Sequence, residues 1–75
     1  MSIRRYMDLY IGTKVIFATE MSENSWRGET GRPTVVDDED GYLVEYSDGY
    51  RSWSPKEQFE VAYRKMTDAE IKMII

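Results

Sequence analysis

Apolar and polar positions along the chain change period several times, and each change marks an element. Residues 9–21 read LYIGTKVIFATEM, with Lys14, Ile16 and Ala18 alternating against Val15 and Phe17. This β-branched and aromatic alternation predicts a first strand, with Gly12 marking a bulge or bend in it. Residues 42–46 (YLVEY) predict a second strand and residues 50–53 (YRSW) a third, joined by Ser47-Asp48-Gly49. Asp-Gly between two aromatic strands predicts a hairpin, because glycine accepts the positive φ that a tight turn requires. On the third strand Tyr50 and Ser52 face one way, Arg51 and Trp53 the other.

The period then changes from two to 3.6. Ser54-Pro55-Lys56-Glu57 satisfies three helix-start rules: serine at the N-cap, proline at the first helical position and glutamate at N3. Phe59, Ala62, Tyr63 and Met66 follow at i, i+3, i+4 and i+7, an apolar stripe for packing on the sheet, with Glu60 and Arg64 as an outward i, i+4 pair. Thr67-Asp68-Ala69-Glu70 repeats the capping box and predicts a short second helical segment with Ile71, Ile74 and Ile75 on one side. Such a segment is too short to hold alone in water, so its apolar side must dock either on the protein's own core or on a neighbouring subunit.

Between these patterned stretches, residues 22–40 read SENSWRGETGRPTVVDDED, with no period to follow. A long polar loop is expected there, with Thr34 to Val36 adding a short edge strand. Such a length is unusual without a purpose. The chain is read as one α+β domain over residues 1–75: an N-terminal extension at 1–8, a small antiparallel β-sheet that is SH3-like in scale, one helix and a short C-terminal helical segment.

Composition narrows the chemistry. The chain has 75 residues, no Cys and no His, which removes disulfides, thiolate or imidazole metal sites and the Ser-His-Asp arrangement. Ten basic against fourteen acidic residues give a net charge of −4, which argues against coating duplex nucleic acid. Arg4 and Arg5 are followed by no apolar run of the signal-peptide kind, and nothing approaches the roughly 18 apolar residues of a membrane span. A soluble, cytoplasmic protein is expected. The acidic run Asp37-Asp38-Glu39-Asp40 lacks the spacing and central glycine of an EF-hand and reads as a solvated turn rather than a cation site. No Walker or dinucleotide motif surrounds Gly28 and Gly31. No pair among the fourteen acids is singled out for acid–base work, so an enzyme is not expected and no cofactor is implied.

What remains is aromatic. Two Trp, six Tyr and two Phe make 13% of the chain, and arginine stands beside an aromatic four times: Arg5-Tyr6, Trp26-Arg27, Tyr50-Arg51 with Trp53 close by, and Tyr63-Arg64. A guanidinium takes phosphate oxygens in a fork while an aromatic face stacks on a base, so the pairing suits a nucleotide. The plainer account is packing: Tyr63 belongs to the helix stripe, and an arginine stem covers apolar surface. Trp26 stands apart because no period explains a large ring in a polar loop, where it serves either as a ligand contact or as a lid on the small core. The candidate ligand-binding residues are Trp26, Tyr50, Trp53 and Tyr63 for stacking, with Arg27, Arg51, Arg64 and Lys65 for phosphates.

The stretches YIGTKVIFATEM (10–21) and GYLVEYSDGYRSWSPKEQFEVAYR (41–64) resemble a family of small phage proteins that share a YIGTK opening, a variable loop and a closing SWSPKE…AYR. SWSPKE and AYR are the specific elements. The chain departs from the usual form in its N-terminal extension and in a loop without the Tyr-rich pattern. In length and layout the family is similar to phage counter-defence proteins of the nucleotide-sponge kind, of anti-Thoeris and anti-CBASS type. That resemblance implies a non-enzymatic protein of the infected bacterial cytoplasm that sequesters a cyclic nucleotide immune signal, either a cyclic di- or trinucleotide or a cyclic ADP-ribose isomer. A pocket of the usual 300 to 1,000 Å³ or so is hard to enclose in so small a core, so a homo-oligomer with the ligand between subunits is expected. The alternative from another class is an acidic inhibitor that mimics nucleic acid toward a host defence enzyme; a phage accessory role is the third.

Overall fold

The stretch read as one strand folds back on itself. In the computed structural model, which describes residues 7–74, β1 (Asp8–Ile11) and β2 (Val15–Glu20) form an antiparallel hairpin turning at Gly12, Thr13 and Lys14. The expected bend at Gly12 is thus a full reversal, and β1 begins inside what was read as the N-terminal extension. Met7, just before it, is buried; the rest of the extension lies outside the described residues.

After β2 come α1 (Glu23–Glu29), β3 (Gly41–Glu45), β4 (Arg51–Pro55), α2 (Lys56–Ala62), β5 (Arg64–Lys65) and α3 (Asp68–Ile74). The sheet order is β4-β3-β2-β1-β5, antiparallel throughout. The first four strands are a meander, and α2 then carries the chain across one face from the β4 edge to the β1 edge. The protein is therefore the small α+β domain expected, with antiparallel strands followed by helices.

The core lies between α2 and the sheet. Ile16 and Ala18 from β2, Tyr42 and Val44 from β3 and Phe59 from α2 are buried together, with Tyr10, Tyr46 and Tyr63 packed around them. Phe59 stacks on Tyr42 at 4.1 Å between centroids and meets Tyr10 edge-on at 5.0 Å. Such offset and edge contacts add to the apolar burial of the rings. The Tyr42 hydroxyl donates to Glu60 Oε2 at 2.7 Å, and this bond together with burial raises its pKa, holding the phenol neutral.

Four expectations are corrected. The polar loop contains α1, whose Ser22 N-cap accepts from the Ser25 N–H at 3.2 Å. Thr34 to Val36 is not a strand; the Asn24 amide holds the Val35 backbone from both sides, at 2.8 and 3.0 Å. Helix α2 starts at Lys56 with no side-chain cap, because pairing of Ser54 with Tyr42 and Pro55 with Gly41 keeps both residues in β4. It also stops at Ala62: Tyr63 is extended, β5 pairs with β1, and Met66 is buried beside β1 with its N–H on the Leu9 carbonyl at 2.9 Å. The Glu60–Arg64 pair is consequently absent, for Glu60 accepts from Tyr42 and Arg64 turns to Glu70.

The second capping box forms as the sequence predicts. The Thr67 N–H donates to Glu70 Oε1 at 3.0 Å, and the Glu70 N–H to Thr67 Oγ1 at 3.2 Å. Ile71 is half-buried, while the Ile74 side chain and Ile75 fall outside the described residues. Arg64 grips both Glu70 oxygens at 2.8 and 2.7 Å, and this fork, followed by the Thr67 N–H, brings the Glu70 carboxyl down to about 2. A carboxyl lowered in the folded state stabilises fully above its unfolded value and loses that contribution as pH falls through the folded one. Helical Cα chemical shifts of α3 are therefore expected to decay between pH 4.5 and pH 2 while those of β3 hold. Glu70→Gln should show the weakened helix already at pH 7, and an α3 signal flat across that interval would contradict the assignment.

Candidate ligand-binding cleft

Two turns and the end of α2 meet at one corner of the helix-bearing face. In the β3–β4 turn the Gly49 N–H donates to the Tyr46 carbonyl and the Tyr46 N–H to the Tyr50 carbonyl, both at 2.9 Å. Gly49 takes φ +90°, which closes this three-residue loop. The turn sets Tyr46 and Tyr50 opposite each other, their rings stacked at 6.0 Å and 25°. Asp48 is fixed in the same turn, its Oδ1 accepting from the Tyr50 N–H at 2.9 Å.

The β1–β2 turn supplies Lys14, whose Nζ stands 5.8 Å from the Tyr46 ring centroid. Tyr63 forms the third wall. Its extended backbone, φ −134° and ψ 149°, ends α2 and stacks its ring on Phe59 at 5.2 Å and 22°. Gly12 makes the junction possible: a β-carbon there would run into the Ala62 carbonyl oxygen and come within 2.8 Å of the Tyr63 ring. Between these walls lies a cleft of about 540 Å³, with Val15 and Ile16 at its base. That volume is of the order that small ligands occupy.

Chemically the cleft offers aromatic faces, one ammonium and one carboxylate. Tyr50 is 66% exposed, a large ring left in solvent beside its stacked neighbour. Lys14 is exposed and, among the described residues, forms no ion pair. A planar ring can stack on the tyrosines, a nearby anion can meet Lys14, and donors can meet Asp48.

Of the eight residues singled out from sequence, the fold brings Tyr50 and Tyr63 together here. Trp26 and Arg27 ride on α1 instead of a free loop; Trp26 is half-buried, and Arg27 is engaged by Glu23 at 2.9 Å and by the Pro33 carbonyl at 3.4 Å. Arg51 and Trp53 occupy the opposite sheet face, as the alternation predicts. Trp53 donates its Nε1–H to the Met21 carbonyl at 2.7 Å and packs directly on Gly41, leaving no room for a side chain there. Arg51 lies 3.7 Å from Glu45, a long ion pair that leaves its buried Nε and Nη2 without a hydrogen bond. Arg64 is held by Glu70 and Lys65 by Asp8 at 3.3 Å. All four cations proposed for phosphates thus have an internal carboxylate partner.

Lys14, Tyr46 and Asp48 are the cleft residues that reading by neighbours in sequence misses. For Lys14 and Tyr46 the signal was the strand period, which continued one residue before β2 puts Lys14 on the side of Ile16, and across the turn sets Tyr46 opposite Tyr50; Asp48 is signalled only by the turn that holds it. Two other depressions, about 260 and 510 Å³, share Asp40 and Lys56; Glu20 borders the first, and Glu39 and Glu57 the second. They lack an exposed stacking pair. Among the described residues no helix is long and apolar enough to cross a membrane. No family model matches the chain, and no curated protein or solved structure matches it.

Proposed function

We propose that the protein is a phage counter-defence protein that binds a cyclic nucleotide immune signal in this cleft and sequesters it uncleaved in the cytoplasm of the infected bacterium. The observation that carries the reading is the Tyr46–Tyr50 stack, whose Tyr50 ring stands in solvent, with Lys14 beside it. Base–aromatic stacking is worth about 1 to 3 kcal/mol per base, and it requires no catalytic group. Lys14 takes the phosphate role that sequence reasoning gave to Arg27, Arg51, Arg64 and Lys65. One ammonium per cleft is few for a ligand with two or more phosphates, so the ligand bridges two copies of the chain, each supplying its own tyrosine pair and lysine.

The test is calorimetry of the purified protein against cyclic di- and trinucleotides and cyclic ADP-ribose isomers. Micromolar or tighter binding of at least one supports the reading, and no heat from any of them overturns it. The second reading, an acidic inhibitor of a host enzyme, is favoured by the exposure of Asp37, Asp38, Glu39 and Asp40 on one stretch of surface. It predicts a stoichiometric host protein on co-purification, which a sponge does not bring down.

A further inference from the structure

Asp48 gives the cleft a preference among bases. Resting on the nucleotide reading above, we infer that the Asp48 carboxylate selects guanine over adenine in the base that stacks on Tyr46 and Tyr50. Asp48 lines the cleft beside both rings. Its orientation is fixed, because Oδ1 accepts the Tyr50 N–H at 2.9 Å. Among the described residues it has no cation partner, and it is exposed at the cleft wall, so its remaining lone pairs are open to a donor there.

An ionised carboxylate is acceptor-only, with about four lone-pair sites on two oxygens, so one bond to Tyr50 leaves room for two more. It repels a phosphate, which places the phosphate toward Lys14 and the base or sugar toward Asp48. Guanine presents N1–H and N2–H side by side on its Watson–Crick edge, two donors that match two carboxylate oxygens. Adenine presents N6–H beside the N1 acceptor, cytosine N4–H beside the N3 acceptor, and uracil N3–H between two carbonyl oxygens. Each of these sets an acceptor lone pair against the carboxylate. Guanine is the base whose edge satisfies Asp48 without repulsion, and a forked contact of this kind discriminates by roughly tenfold or more.

The ribose diol also offers two hydroxyl donors to a carboxylate, and the experiment separates the two sources. Cyclic di-GMP, cyclic di-AMP, GMP, 2′-deoxy-GMP and AMP are titrated by calorimetry into the wild-type protein and Asp48→Asn. Asparagine retains an oxygen for the Tyr50 N–H, so the turn survives, and an unchanged far-UV spectrum and melting temperature verify this. The expected result is at least a tenfold preference for the guanine ligands in the wild type, equal affinity for GMP and 2′-deoxy-GMP, and a guanine-to-adenine ratio within about twofold in Asp48→Asn. Equal wild-type affinity for guanine and adenine ligands, or a loss tied to the 2′-hydroxyl with no base preference, overturns the inference and leaves the nucleotide reading standing. No binding of any of these five ligands overturns the inference, and the nucleotide reading falls with it when cyclic trinucleotides and cyclic ADP-ribose isomers also give no heat.

Discussion

Phe59→Ala is expected to leave the chain without cooperative tertiary structure at 37 °C. Phe59 is 2% exposed and touches three rings: Tyr42 at 4.1 Å, Tyr10 at 5.0 Å and Tyr63 at 5.2 Å. Truncating a buried phenylalanine costs about 3 to 5 kcal/mol, because the lost burial is joined by a cavity that the surroundings fill only partly. A domain of this length carries on the order of 4 to 11 kcal/mol in total. The substitution therefore removes a large share of it, and α2 loses its one buried side chain. Near-UV circular dichroism and urea unfolding measure this. A variant with a wild-type near-UV spectrum and a urea midpoint within 0.5 M or so of wild type would contradict the placement of the core under α2.

Gly12→Ala is expected to damage the fold and the cleft together. The added methyl meets the Ala62 carbonyl, which is backbone and cannot rotate away, and the Tyr63 ring at 2.8 Å. Either the β1–β2 turn lifts or the end of α2 moves. Overpacking of this kind costs about 1 to 3 kcal/mol. The turn carries Lys14 and the helix end carries Tyr63, so the same shift spreads two walls of the cleft. The melting temperature should fall, and affinity for the nucleotide proposed to bind there should drop roughly tenfold, the loss expected when a positioned contact worth about 1.4 kcal/mol is removed. A variant with wild-type stability and affinity would show that this junction does not shape the cleft.

The sequence made the hairpin legible because its signals were local. Asp48-Gly49 dictates a turn, and alternation dictates which residues share a face; both appear in the structure. The Thr67–Glu70 box was legible for the same reason. The misplaced boundaries all come from non-local pairing. Ser54-Pro55 has the chemistry of a helix start, but its partners in β3 hold it as strand. Tyr63 and Met66 continue a helical period, yet β1 offers an open edge and the chain takes it as β5. Helix α1 was hidden because its ENSWRGE stretch buries no residue and so shows no apolar stripe.

For the site, adjacency in sequence proved a poor guide. Arg beside aromatic identified Tyr50 and Tyr63, but strand alternation sends neighbours to opposite faces, which is how Arg51 parts from Tyr50. The cations themselves met carboxylates: Arg27 finds Glu23 one helical turn away, Arg64 finds Glu70 once α3 turns back, and Lys65 finds Asp8 only through sheet pairing. Lys14, from a turn where sequence alone showed no aromatic beside it, is the cation that the fold sets against the tyrosines.

Nucleotide binding between Lys14 and the tyrosines is checked by titrating cyclic di-GMP, a cyclic trinucleotide and a cyclic ADP-ribose isomer in turn into ¹⁵N-labelled protein and following backbone amide shifts. Saturable shifts are expected at Lys14, at Tyr46 to Tyr50 and at Tyr63 for at least one of them, with α1 and the Asp37 to Asp40 run undisturbed. Shifts confined to α1 or to that acidic run, or none at all at millimolar ligand, would contradict it.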